Sequence, residues 1–524
     1  MRRVVSGLIV AGSIVGCSVF GTSDRGAGEP APATPQDNAQ PPPVDGSPVP
    51  GVYVSTSIGS DDATGTAGRP LKTLTKAFAL AAEQHLRVIA CAEVYEESLT
   101  LIDGVSAYGY YECAVTPWKR GERRATVRAP SSPAVLAKGL RLPTRLEGFE
   151  VVAPDLERVP ATGDRGSSIA LEVRDSRELT IGASLLHGGK AAPGTAGGAG
   201  PDNARTAASD GTPALDQKVG TCNPMVVLCA ARTVLGSGGG VTTCAMGPAG
   251  GPGGQGGDGL FLIGVEPNTV AVEHRGRPVV ANGATAAGGI MNGYSRGLAG
   301  AAGVAGTHGL DGVNGTWSIS AKGFARGDGS AGEAGSPGQG GGGGGGAAAW
   351  FQSTGGNTSP PASNTYTETA MGGGGGGGGC GGQPGTGGTG GGASIGAFVV
   401  ASGVTIEQTR IESSSGGAAG LGNLGTRGTS GGTGGAGTVH TVDTTGRGGN
   451  GGAGGSGGAS GHGAAGPSIA LVYSGTRPIL ASTELAAGPG GAGQPYLDRI
   501  VLGRVEGLAS APAGESKPEL EIKP

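Results

Sequence analysis

Six histidines, seven cysteines and a thin scatter of carboxylates are the groups in this 524-residue sequence that could carry chemistry. Once Cys17 is set aside, Cys91, Cys113, Cys222, Cys229, Cys244 and Cys380 form an even set, which in an exported chain reads as disulfides. Cys222, Cys229, Cys244 and Cys380 allow three pairings among themselves. None of these spacings has the paired C-x2-4-C signature of a zinc site. One nonapeptide, Gly253 to Phe261 with Asp258 at its sixth position, fits a calcium-binding repeat. Such repeats share each ion between tandem copies, and here there is one copy, so no metal is assigned and Ca²⁺ at Asp258 stays the alternative. Asp61 and Asp62 sit in a turn-rich loop, where capping is the ordinary role and cation binding the sharper one. A polysaccharide lyase would need several acidic residues holding Ca²⁺ with a basic residue beside them, and a glycosidase two facing carboxyls. Glu172, Asp175, Glu407, Glu412 and Glu484 lie near expected strand ends but at no common aligned position, and they read as solvated turn charges. His187, His274, His308, His440 and His462 have no carboxylate or Cys at catalytic spacing in the sequence. No catalytic residue and no cofactor is assigned.

The elements that must position these groups are built mostly from glycine. There are 116 Gly and 34 Pro, more than a quarter of the chain, against 4% aromatic and 15% charged residues. That excludes an ordinary packed globule for most of the length. Net charge is only −4, from 36 basic and 40 acidic residues, so there is no electrostatic footprint for nucleic acid.

Met1-Arg2-Arg3 followed by a short apolar run from Val4 to Val15 reads as a signal peptide over residues 1–16, too short to span a bilayer. Ile14-Val15-Gly16-Cys17 resembles the bacterial lipobox. The resemblance implies lipidation of Cys17 and, with Ser18 following, an outer-membrane address: the membrane is the first expected partner. Residues 17–50 carry Pro30, Pro32, Pro35, Pro41, Pro42, Pro43, Pro48 and Pro50, which favour an extended tether.

From Val52 the pattern changes to short alternating apolar segments, with a helix opened by Pro70 whose apolar face is Leu71, Leu74, Ala77, Phe78 and Ala81. Tyr53-Val54, Gly59-Ser60-Asp61, Gly65-Thr66, Pro70-Leu71-Lys72-Thr73-Leu74 and Ala81-Ala82 together resemble a bacterial family of unknown function. That family belongs to the pectate-lyase-like, right-handed parallel β-helix proteins. The resemblance covers about residues 51–190 and implies a fold and a capping helix but no reaction. Glu93-Val94-Tyr95-Glu96-Glu97 lacks the Gly-Thr that usually precedes the Tyr-x-Glu turn. On one coil of separation, Cys91 and Cys113 would face each other.

Three distant segments share one pattern. Ser168-Ile169-Ala170-Leu171 is followed by Ile181, Ser184 and Leu186; Ser394-Ile395-Gly396-Ala397 by Ile406, Thr409 and Ile411; and Ser468-Ile469-Ala470-Leu471 by Leu480, Thr483 and Leu485. Identical spacing argues for equivalent coils. Between them Gly holds every third position, as at Gly297 through Gly315, Gly329 to Gly341, Gly422 to Gly437 and Gly448 to Gly457. Three residues per turn is the polyproline II period, in which a glycine edge lets another chain approach closely. Antiparallel polyglycine-II-like hairpins are expected; the pure-Gly runs Gly340 to Gly346 and Gly372 to Gly379 carry no period to read.

The expected architecture is therefore all-β: a right-handed parallel β-helix (solenoid) with a short N-terminal capping helix and long Gly-rich excursions between coils. Its first coils occupy 51–190, a Gly-rich insertion 191–392, the C-terminal coils 393–510 and a disordered tail 511–524. The expected role is that of a cell-surface lipoprotein, structural, adhesive or polysaccharide-binding. A polysaccharide lyase or hydrolase, or an ice-binding surface, is the alternative.

Overall fold

The structure, a computed structural model, describes residues 39–42 and 49–523 apart from 115–116, 159–165, 204–206, 215, 218–232, 235, 258, 262–296, 347, 350–368, 439–444 and 502–503. Its strands gather into three large parallel sheets. The first runs Val52–Val54, Val88–Cys91, Ala107–Glu112, Thr144–Glu147, Leu179–Gly182, Val404–Glu407 and Ile479–Ala481, with Lys119–Arg120 pairing antiparallel at its side. The second runs Glu484–Ala486, Arg410–Ser413, Leu185–Gly188, Phe149–Val152, Ala125–Arg128 and Val94–Tyr95. The third runs Ser516–Ile522, Ser468–Ser474, Ser394–Val400, Ser168–Arg174, Val135–Lys138 and Leu99–Thr100. Along the chain the parallel strands fall into the three sheets in rotation, and the sequence repeat is in register: Ile169 pairs with Ile395 and Ile395 with Ile469. Leu186 pairs with Ile411, and Ile411 with Leu485. The repeated Ser/Thr bridges successive strands, with Ser184 N–H donating to Thr409 Oγ1 at 3.3 Å and Phe149 N–H to Ser184 Oγ at 3.2 Å.

This corrects the expectation of an all-β right-handed parallel β-helix. The chain is not a single solenoid: it is a layered arrangement of three large parallel sheets, one helix packed into their core, and a glycine body held mainly by backbone hydrogen bonds between extended segments, with only short two- and three-stranded pairings such as Ser318–Ser320 with Gly323–Ala325. The physical reason is that the Gly-rich segments do not hang as loops between coils. They satisfy their own backbone groups against one another and so build separate layers. The segment 511–524, expected to be a disordered tail, also differs: Ser516–Ile522 pairs with Ser468–Ser474 and buries Ile522.

The core is lined by aliphatic and aromatic side chains, including Val54, Leu74, Phe78, Leu146, Phe149, Leu171, Ile181, Ile406 and Leu471. The helix Leu74–Gln84 contributes Leu74, Ala77, Phe78 and Ala81 of the expected face; it starts later than Pro70, and Leu71 lies ahead of it, bridged to Val54. Its N-terminus is capped three times over. Thr73 accepts from Lys76 N–H, Asp61 from Lys72 and Thr73 N–H, and Glu97 from Leu74 and Thr75 N–H. Two carboxylates at the positive end of a helix are electrostatically favourable.

The glycine body is organised around Gly372–Gly382. Successive amides there point to three different chains: Gly374 N–H to Thr212 O, Gly375 N–H to Gly254 O and Gly376 N–H to Gly449 O, at 3.0, 2.8 and 3.0 Å. The cycle then repeats, with Gly377 to Ser209 O, Gly378 to Gly251 O and Gly379 to Gly452 O. Carbonyls of the same residues accept from three further chains, through Gly435, Gly240 and Gly341 N–H. This strand is therefore surrounded on all sides, which is why Gly372–Gly379 carry no side chains. A Cβ added to any of Gly372–Gly379 would stand 1.9–2.7 Å from a neighbouring heavy atom. At the edge, the chain 297–315 needs glycine only where it faces inward. Its Gly300, Gly303, Gly306, Gly309, Gly312 and Gly315 amides bond the carbonyls of Arg447, Asn450, Ala453, Ser456, Ala459 and His462. That pairing is parallel, whereas 298–313 against 330–345 is antiparallel, so both directions occur in the lattice.

Candidate functional site

Where a lattice chain has an open side, the two positions that follow each glycine decide what fills it. One set of side chains substitutes for a missing neighbour by accepting its orphaned amides. His308 Nδ1, Asp311 Oδ1 and Asn314 Oδ1 accept from Ser456, Ala459 and His462 N–H at 2.9, 2.7 and 2.9 Å. Thr386, Thr389, Thr426 and Thr429 do the same for Gly198, Thr195, Gln383 and Cys380. The other set points outward. On 297–315 it is Leu298, Ala301, Val304, Thr307, Leu310 and Val313, all exposed, with Leu310 and Val313 at 69% and 71%. At about 3.1 Å per residue these side chains repeat roughly every 9 Å along a straight line. Their carbonyls are fixed to the amides of 330–345, so the row is held rigid from behind. The row itself is uncharged, regularly spaced and largely aliphatic, with the exposed Glu333 in register with Leu310 on the neighbouring chain.

A second cluster lies on the first sheet. Arg145 donates through Nε to Glu147 and through Nη2 to Glu407, and Arg120 Nη2 reaches Glu147 Oε1 at 3.2 Å. Gly182 stands in register between Glu147 and Glu407, and a Cβ there would meet Arg145 Nη2 at 2.8 Å. The absent side chain is what lets Arg145 span three strands. Burial, and after it the Glu407 carboxylate, push Glu147 up to about 7. Tyr53, Tyr108, Tyr110, Tyr111 and Trp118 pack nearby, with the Arg120 guanidinium 4.1 Å from the Tyr110 ring centre. Since Glu147 ionises near 4.5 when unfolded, folding opposes its ionisation. Stability is therefore lost as pH rises from about 4.5 through about 7. Glu147→Gln is expected to raise the melting temperature relative to the parent more at pH 8 than at pH 5. Equal differences at the two pH values would show that the two guanidiniums fully offset burial, and a larger gain at pH 5 that they outweigh it.

A third cluster joins residues far apart in sequence. His187 and Glu412 are register partners in the second sheet. His187 Nδ1 lies 3.1 Å from Glu412 Oε2, and Ser414 Oγ lies 3.1 Å from His187 Nε2. Arg410 Nε bonds Glu412 Oε1 at 2.5 Å and stands 3.7 Å from Glu484.

The other residues singled out in sequence fall as follows. Cys91–Cys113 and Cys244–Cys380 are disulfides; Cys222 and Cys229 lie outside the described residues, as do Cys17, Asp258, His274 and His440. Asp61 caps the helix, and Asp62 is exposed beside it. Glu172 is buried against Arg174, and Asp175 turns the chain at φ 49°. Buried His462 accepts from Gly422 N–H inside the lattice, and burial pushes its pKa down. Glu93, not singled out in sequence, lies within 4.8 Å of the Cys91 and Cys113 sulfurs, which are joined to each other and offer no thiolate. Burial pushes the Glu93 carboxyl up, but hydrogen bonds from Ser57, Ser55 and Thr56 outweigh it and leave the carboxyl below its usual range. Among the described residues no helix is long and apolar enough to cross a membrane.

No protein-family model matches the sequence, and no curated protein matches it. Among solved structures, the crystal structure of a GH136 lacto-N-biosidase from Eubacterium ramulus, as its selenomethionine derivative, is similar over 26% of this chain and 26% of that one, at 16% identity and a TM-score of 0.20. A likeness of that size carries no argument about fold or activity. The resemblance seen over 51–190 rests on its motifs alone.

Sequence reasoning missed the Glu147 and His187 clusters for one reason. Both join strands that are neighbours in a sheet but far apart in the chain: 225 residues separate His187 from Glu412 and 262 separate Arg145 from Glu407. The signal existed for the former, because Leu186 and Ile411 already align in the repeat and His187 and Glu412 each follow by one.

Proposed function

We propose that this is a cell-surface lipoprotein whose glycine lattice presents a flat face to neutral polysaccharide. The observation that carries the reading is the exposed row Leu298, Ala301, Val304, Thr307, Leu310 and Val313 on a backbone held by hydrogen bonds. A rigid row with no cationic side chain loses little side-chain entropy on contact and has nothing to attract phosphate. Its aliphatic side chains and Thr307 hydroxyl suit the alternating CH and OH surface of an extended sugar chain. Anchoring through Cys17 and the Pro-rich segment up to residue 50 would hold that face away from the membrane. Sedimentation of the full chain with insoluble neutral glucans tests the reading. Binding that is lost when Val304 and Leu310 are both changed to Lys supports it. Absence of binding, or binding untouched by the lysines, removes it. Palmitate labelling that persists in Cys17→Ala would remove the anchor.

The strict spacing of small aliphatic and threonine side chains favours one second reading, an ice-binding face. Thermal hysteresis lost in the same double-lysine variant would decide for it.

A further inference from the structure

We propose that Ser414, His187 and Glu412 form a nucleophilic site that cleaves short-chain carboxylic esters, an activity independent of the adhesive reading. A nucleophile, a base and a carboxylate are recognised by geometry and role, whatever their order in the chain. A carboxylate can only accept, so Glu412 Oε2 fixes the hydrogen of His187 on Nδ1 and leaves Nε2 free to accept from the Ser414 hydroxyl. Arg410 Nε on Oε1 helps to orient the Glu412 carboxylate. Ser414 is placed by its backbone, its amide donating to Ser394 Oγ at 2.8 Å and to Gly188 O at 3.0 Å. His187 and Glu412 are 35% and 22% exposed at their side chains, so both are partly open to solvent. The next amide, Ser415 N–H, has no hydrogen-bond partner among the described residues, while the amides of Ser414 and Gly416 on either side are both engaged. An unpaired amide directly after a nucleophile is where an oxyanion donor is needed. The neighbours Gly188, Gly189, Ser413, Ser415 and Gly416 carry side chains no larger than a hydroxymethyl, which leaves room for a small acyl group.

In the first step Ser414 Oγ forms a bond to the ester carbonyl carbon as its proton passes to His187 Nε2. The tetrahedral oxyanion faces Ser415 N–H. The carbon–oxygen bond to the alcohol then breaks, and His187 returns the proton to the departing alcohol, leaving acyl-Ser414. A water molecule repeats the sequence, releasing the carboxylic acid and restoring the serine. Ser414 and His187 are the catalytic residues; Glu412 is a positioning residue.

The test is reaction of the full chain with an alkyl fluorophosphonate, with peptide mapping, beside hydrolysis of p-nitrophenyl acetate. The expected result is one adduct, on Ser414, with kcat at least about a hundredfold lower in His187→Gln. Glu412→Gln is expected to lower kcat with KM unchanged and Glu412→Asp to recover part of it, a pattern that general loosening of the strand would not give. Ser98→Ala should label like the parent. An unlabelled Ser414 in the parent chain, or labelling that survives His187→Gln, overturns the proposal. Mapping on the parent decides even if Ser414→Ala fails to fold.

Discussion

Alanine in place of Gly375 is expected to destabilise the chain by at least about 3 kcal/mol, at or beyond the upper end of ordinary overpacking. Its Cβ would stand 2.0 Å from the Gly341 carbonyl oxygen. The Gly375 amide and carbonyl are also both committed, to Gly254 O and Gly240 N–H, so the strand cannot move aside without breaking bonds to other chains. Relief in one direction is a collision in another. Gly198→Ala and Gly238→Ala make the control, because at each of them the nearest atom to an added Cβ is a threonine hydroxyl 3.5 Å away. Alanine there should be neutral or slightly stabilising, since it restricts the unfolded chain more than glycine does. Thermal melts followed by circular dichroism separate the two classes. Equal tolerance of all three substitutions would mean that the lattice is loosely packed.

Loss of the Cys244–Cys380 disulfide is the second large effect. The bond closes 136 residues and ties the segment around Cys244 to the fully buried Cys380 on the central lattice strand. In the chain-entropy account a loop of that length contributes about 4 to 5 kcal/mol, against about 3 for the 22-residue Cys91–Cys113 loop. Cys244→Ser with Cys380→Ser is therefore expected to lower the melting temperature more than the corresponding double variant at Cys91 and Cys113. Calorimetry on the two double variants gives the comparison directly. The reverse ranking would place the stabilising weight in the sheets.

Much of this was legible in the sequence. The repeated Ile/Leu-x-x-Ser/Thr-x-Ile/Leu segments pair in register, the helix buries the face its spacing dictates, and the Gly period of three marks chains with two or three packed sides. The pure-Gly runs were not legible, because a chain surrounded on every side and a chain that is merely flexible have the same composition. Only the partners distinguish Gly372–Gly379 from a linker, and those partners lie in five other parts of the chain or more. The layered arrangement was missed for a related cause: glycine amides bonded between distant segments leave no apolar periodicity to read. Ser414 is a third case, an unremarked serine in the run Ser413-Ser414-Ser415 until the register sets His187 beside Glu412.

Amide hydrogen exchange on the intact chain measures the order of the glycine body most directly. Every amide from Gly374 to Gly379 donates to another segment, so these amides are expected to exchange as slowly as those of the strand Ser394–Val400. Exchange of Gly374 to Gly379 at the rate of an unprotected chain, while Ser394–Val400 stays protected, would contradict the account and with it the rigid face on which the proposed recognition depends.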